Sequence, residues 1–133
     1  HRGGGDDVAC LAAREHPGHE HPDAVDDAPK VDAEDPARHR DEVLARMSQL
    51  AHDAQGTGIT LLHENEKEIY GDVPSRCVDI LDGVGSPALR AAWDAANFVQ
   101  CGVSPYEEGY ASLRPYVEYV HVKDALYGSD TGE

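Results

Sequence analysis

The chain has 133 residues, room for one compact domain, and sets 26 Asp and Glu against 11 Lys and Arg, a formal net charge of -15 with His neutral. Nucleic-acid phosphates and anionic lipid surfaces repel such a polyanion, so neither is expected as a partner. With no apolar run approaching the roughly 18 residues of a membrane span and no signal-peptide core, a soluble, cytoplasmic protein is expected.

Residues 1–34 carry nine acids, three Lys or Arg and four His, and their large apolar residues are Val8, Leu11, Val25 and Val31. Gly3-Gly4-Gly5, Pro17, Pro22 and Pro29 punctuate them. So little apolar surface does not offset chain entropy, and a disordered acidic tail is expected. A helix over 7–15 would have nothing to hold it. His16, His19 and His21 lie close together, but without a rigid scaffold they read as a chance cluster rather than a metal site. Cys10, Cys77 and Cys101 are odd in number and far apart, with no CxxC spacing. That pattern argues against a disulfide framework and a structural zinc site, and predicts reduced thiols.

From Asp35 the texture becomes that of a folded α/β protein. Asp35 with Pro36 predicts a helix start. Val43, Leu44, Met47, Leu50 and Ala51 follow at helical spacing, and Gly56 and Gly58 end the helix. Ile59–Leu62 is a short β-type run that leads into His63-Glu64-Asn65-Glu66. Asp72 and Pro74 open a second helix with the buried stripe Cys77, Ile80, Leu81 and Val84, ended by Gly83 or Gly85. Leu89–Trp93 reads as a second strand, running into Asp94. Ser104-Pro105-Tyr106-Glu107 is a capping box, and Tyr106, Tyr110 and Leu113 form the predicted inner face of its helix. Pro115 ends that helix, and Tyr116–Val122 is the third strand.

This alternation means parallel strands joined by helical crossovers, with a site expected at the carboxyl ends of the strands. There the sequence places Glu64, Asp94 and His121. Two carboxylates and an imidazole at adjacent strand ends suit a divalent metal: manganese, magnesium, cobalt or zinc. Glu66 and Glu68 read as a solvated loop, and Trp93 as a core or pocket wall.

The stretch from Asp35 to Leu126 resembles the sugar phosphate isomerase/epimerase family, the xylose-isomerase-like TIM barrels. The motifs that carry the resemblance are His63-Glu64-Asn65-Glu66-Lys67-Glu68, Trp93-Asp94-Ala95-Ala96-Asn97-Phe98 and Tyr119-Val120-His121-Val122-Lys123-Asp124. They resemble the ends of that family's fifth, sixth and seventh strands. The resemblance implies a partial (β/α)8 barrel over residues 35–133, with Glu64, Asp94 and His121 as metal ligands. It further implies metal-assisted proton transfer next to the carbonyl of a small sugar or sugar phosphate, through an enediolate, with Glu64 moving the proton. Asn97 falls at a polar substrate or ligand contact. Lys123 would face a substrate oxygen or phosphate, or else pair with Asp124 or Glu118.

A whole barrel takes about 250 residues and eight strands. The four preceding strands, the eighth strand and its glutamate are therefore expected to be missing, and the acidic start to be a misread or rearranged gene end. Activity of this chain is expected to be impaired. The alternative is an inactive fragment, or a subunit that completes a barrel with another chain or with further copies of itself. Metal-dependent endonucleases of abasic DNA share the barrel, and the net charge argues against them.

Overall fold

The computed structural model describes residues 35–125, and residues 8–10 by their backbone. Four strands, β1 (Val8–Cys10), β2 (Thr60–Glu64), β3 (Leu89–Asp94) and β4 (Val117–His121), lie side by side in chain order, all parallel. Between them run α1 (Arg40–Ala54), α2 (Pro74–Val84), α3 (Ala95–Gln100) and α4 (Ala111–Leu113). Parallel neighbours require such crossovers, so the predicted α/β alternation is the one formed.

The core lies between one face of the sheet and the helices. Ala51 and Ala54 of α1 and Cys77, Ile80 and Leu81 of α2 join Leu61, Leu89 and Ala91 of the strands in one buried cluster. α1 meets α2 closely at Gly83, where a Cβ would come within 2.8 Å of Leu44 Cδ2. The two helices are also pinned by charge. Arg40 donates from Nε and Nη2 to the two carboxylate oxygens of Asp79, both at 2.7 Å, and the Tyr70 hydroxyl donates to the same carboxylate at 2.8 Å. The fork holds the Asp79 pKa below the ordinary carboxylate value. Gly85 closes α2 in the left-handed conformation, with φ at 61°.

His63 lies on this core face of β2, opposite to Glu64. Its Nε2 is buried under Gly71, where a Cβ would stand only 2.2 Å away, and it has no hydrogen-bond partner. Burial lowers the His63 pKa to about 4, so the imidazole is neutral.

Register on the other face decides which side chains meet. Glu64 pairs with Ala92, and Asp94 pairs with His121. Between β3 and β4 the ladder skips a residue: Ala91 pairs with Val117, but Ala92 pairs with Tyr119. Glu118 is thus the extra residue of a bulge. Arg90 braces it, with Nε 3.6 Å from Glu118 and Nη2 donating to the Pro115 carbonyl at 2.8 Å.

Several expectations change. Val8–Cys10 stands as a strand where disorder was expected, because the edge of β2 supplies a hydrogen-bonding partner that composition does not reveal. The remainder of 1–34, including His16, His19 and His21, lies outside the described residues. Pro36–His39 forms a 3-10 turn before α1 rather than its first turn. Leu50 is exposed, while Ala51 and Ala54 carry the contact. The predicted capping box is a side-chain pair, in which the Ser104 hydroxyl donates to the Glu107 carboxylate, and Pro105–Tyr110 winds as a π-helix before α4. Tyr106 is 68% exposed and stacks on Tyr110 instead of entering the core. Trp93 is half-buried, and its Nε1 donates to the Pro105 carbonyl. Among the described cysteines, Cys77 and Cys101 are free thiols.

Candidate metal centre

Glu64 ends β2, Asp94 ends β3 and His121 ends β4, and the pairing sets all three on the sheet face opposite the helices. One ligand atom from each lies within 4.8 Å of the others. His121 Nδ1 is 2.8 Å from Glu64 Oε1 and 3.6 Å from Asp94 Oδ2. Glu64 is 8% exposed and Asp94 is fully buried. Burial pushes the Glu64 pKa up, and the charge of His121 opposes that shift.

Asp94 divides its carboxylate between two tasks. Oδ1 accepts from the backbone N–H of Asn97 at 3.0 Å and so caps α3. Oδ2 is buried without a hydrogen bond, with His121 and Lys123 at ion-pair range. Lys123 Nζ stands 3.1 Å from this oxygen, so the lysine pairs with Asp94 rather than with Asp124 or Glu118.

Two residues without an assigned role in the sequence organise the centre. Asn65, fully buried, binds the backbone of Asp94 twice: its Nδ2 donates to the Asp94 carbonyl and its Oδ1 accepts from the Asp94 N–H, each at 2.9 Å. The amide thereby extends the β2–β3 ladder beyond its last backbone pair. Glu66, expected in a solvated loop, is half-buried and accepts from Asn97 Nδ2 at 3.2 Å. Asn97 is 1% exposed, and the same Nδ2 donates to the Asn65 carbonyl at 2.8 Å and lies 3.5 Å from Glu64 Oε1. Its described contacts therefore orient the carboxylates. The signal for Asn65 was its place directly after a strand-end ligand, a position where a side-chain amide reaches the neighbouring strand.

Donor chemistry fits a divalent cation. Two buried carboxylates side by side are costly unless a positive charge joins them, and Asp94 Oδ2 has a lone pair without a hydrogen-bonding partner. Oxygen, oxygen and nitrogen donors suit magnesium, manganese, cobalt or zinc alike.

A family model described as xylose isomerase-like TIM barrel matches residues 7–133, reaching back past the expected 34/35 boundary to include β1. A solved structure, the crystal structure of a xylose isomerase-like TIM barrel protein from Mycobacterium smegmatis in complex with magnesium, is similar at 29% identity and a TM-score of 0.59. That similarity covers 68% of this chain and 30% of the other, so this chain spans under a third of the length of its solved relative. Among curated proteins, none matches. Parallel strands with helical crossovers, the partial-barrel order of β2 to β4 and the extent of the family match agree: the chain belongs to the xylose isomerase-like TIM barrel family.

Proposed function

We propose that this chain carries part of the centre of a metal-dependent sugar or sugar phosphate isomerase or epimerase. The observation that supports it most is the convergence of Glu64, Asp94 and His121 around the buried Asp94 Oδ2, which has no hydrogen bond. Glu64, Asp94 and His121 would hold the cation, which when bound supplies charge to polarise a sugar carbonyl. Glu64, with a pKa raised by burial, takes the proton from the carbon beside that carbonyl. Asn97, itself held by Glu66, orients it. Magnesium in the solved relative supports the cation class, and manganese, cobalt and zinc fit the same donors.

The test has two parts. Manganese should raise the thermal midpoint of the chain by mass action, and EDTA should reverse the rise. Hydrogen exchange into a ketose or ketose phosphate from heavy water should need the metal and vanish in Glu64→Gln. Exchange that persists in that variant removes Glu64 from the mechanism.

A second reading is a subunit or fragment whose barrel is completed by another chain or by a further copy of this one. It is favoured by β4 and the residue just past it: Tyr119 and Val120 on the strand are 49% and 43% exposed, and Val122 is 95% exposed. Apolar side chains on an edge strand are a surface for a further strand to cover. Light scattering of the purified chain decides it: a stable monomer that binds manganese counts against this reading. Among the described residues no helix is long and apolar enough to cross a membrane.

A further inference from the structure

We propose that the Lys123 ammonium is an internal counter-cation, standing beside Asp94 until a divalent ion displaces it, so that Lys123 sets the metal affinity of the centre. The inference rests on the metal reading above and adds a competitor to it.

Asp94 brings a negative charge into a position with no solvent exposure, with Glu64 beside it at 8%. Two such carboxylates need positive charge near them whether or not a metal is bound. Lys123 supplies it from the solvent side. Its Nζ lies 3.1 Å from Asp94 Oδ2, while 46% of its side chain is exposed. The contact is one of distance and charge without hydrogen-bond alignment, since Oδ2 has no hydrogen-bonding partner. Residues 122–125 follow β4 without regular structure, so Lys123 is carried on backbone outside the ladder. A weakly aligned ammonium on a flexible, half-exposed stem leaves at little cost.

A metal and this ammonium compete for one oxygen. Cation–oxygen distances are about 2.0–2.6 Å, so an ion on Oδ2 would stand within about 6 Å of Nζ in its described position. Charges of +2 and +1 at that separation repel strongly in a buried setting. Of the other cations described around the sheet, Arg90 braces the bulge at Glu118, Arg76 pairs with Asp72, and Lys67 lies on an exposed turn. His121 is itself one of the three ligands. Lys123 is therefore the positive group that must move for the ion to enter.

Calorimetric titration of manganese into the 133-residue chain, Lys123→Gln and Lys67→Gln tests this. Lys67→Gln removes the same charge from an exposed loop position and separates contact from net charge. The expected result is affinity about tenfold or more higher in Lys123→Gln and within about twofold of the parent in Lys67→Gln. On the unsubstituted chain, manganese should also speed reductive methylation of the Lys123 amine relative to Lys67, read by peptide mass. Parent binding that Lys123→Gln leaves unchanged or weakens overturns the inference and leaves the metal reading standing. So does an equal gain in both variants, or slower methylation of Lys123 with metal. Binding in neither the parent nor Lys123→Gln overturns both. Binding in Lys123→Gln alone supports both.

Discussion

The backbone N–H of Asn97 donates to Asp94 Oδ1, and this single bond fixes the direction in which Oδ2 points. A helix cap and a candidate metal ligand are thus one side chain. Capping sets the carboxylate rotation before any ion arrives, which is the preorganisation that a site of short-lived contacts lacks.

This division of labour separates two substitutions. Asp94→Asn keeps an oxygen for the cap and removes the charge at Oδ2. Manganese affinity should fall by about 100-fold or more, while the thermal midpoint of the metal-free chain changes little. Asp94→Ala loses the cap as well and should cost about a further 1 kcal/mol of stability. Paired calorimetric titrations and melts check both. An Asp94→Asn chain that binds manganese like the parent would remove Asp94 from the ligand set.

Asn65 is the clamp between the ends of β2 and β3. Asn65→Ala leaves the buried N–H of Asp94 unpaired, at about 1–3 kcal/mol, and takes one of two acceptor contacts from its carbonyl, which as the cap of α3 still accepts the first helical bond. The chain should melt many degrees lower. Asn65→Asp keeps the acceptor for the Asp94 N–H but buries a further charge beside Glu64 and Asp94, so its loss should be at least as large as that of Asn65→Ala. Equal melts for Asn65→Ala and the parent would sink the clamp.

Phe98, fully buried on α3, lies against the backbone at Gly109. A Cβ there would meet the ring at 2.6 and 2.7 Å. Gly109→Ala therefore forces the ring or the π-helix to shift, at about 1–3 kcal/mol by overpacking. Denaturant unfolding measures it, and a neutral result would mean that the ring moves freely.

His63 gives the fold an acid sensitivity. Its pKa is about 4 in the folded chain against an ordinary 6.5, so the unfolded chain takes up a proton first as pH falls. The stability it contributes is whole above about 6.5, declines between 6.5 and 4, and is lost below that. In His63→Leu the midpoint should fall less steeply across this window than in the parent. Carboxylates titrating in both chains cancel in the comparison. Parallel pH profiles would show that the imidazole is not buried neutral.

Much of this was legible because parallel α/β sequence repeats itself. Cys77, Ile80 and Leu81 at helical spacing, and the strand-end positions of Glu64, Asp94 and His121, follow from local periodicity and topology. What the sequence hid depends on partners distant in the chain. Val8–Cys10 is too short to signal a strand and needs the edge of β2. Helix α3 is six residues long, and its start is set by the carboxylate already read as a ligand. Tyr106 sits at a core-like spacing for an α-helix, but the turn around it winds as a π-helix and carries the ring outward. Glu66 reads as loop because its partner, Asn97, comes 31 residues later.

The bulge at Glu118 makes the histidine a matter of parity. A regular ladder continued from Ala91 and Val117 would set Val120, not His121, beside Asp94, and the imidazole would face the helices. The strand therefore carries one residue of slack ahead of Tyr119. Deleting Glu118 should merely straighten β4 and leave manganese affinity near that of the parent. Removing Val120 should turn His121 to the opposite face and abolish binding. Length changes in this strand are thus tolerated on one side of Tyr119 and forbidden on the other, a rule that composition at either site does not express.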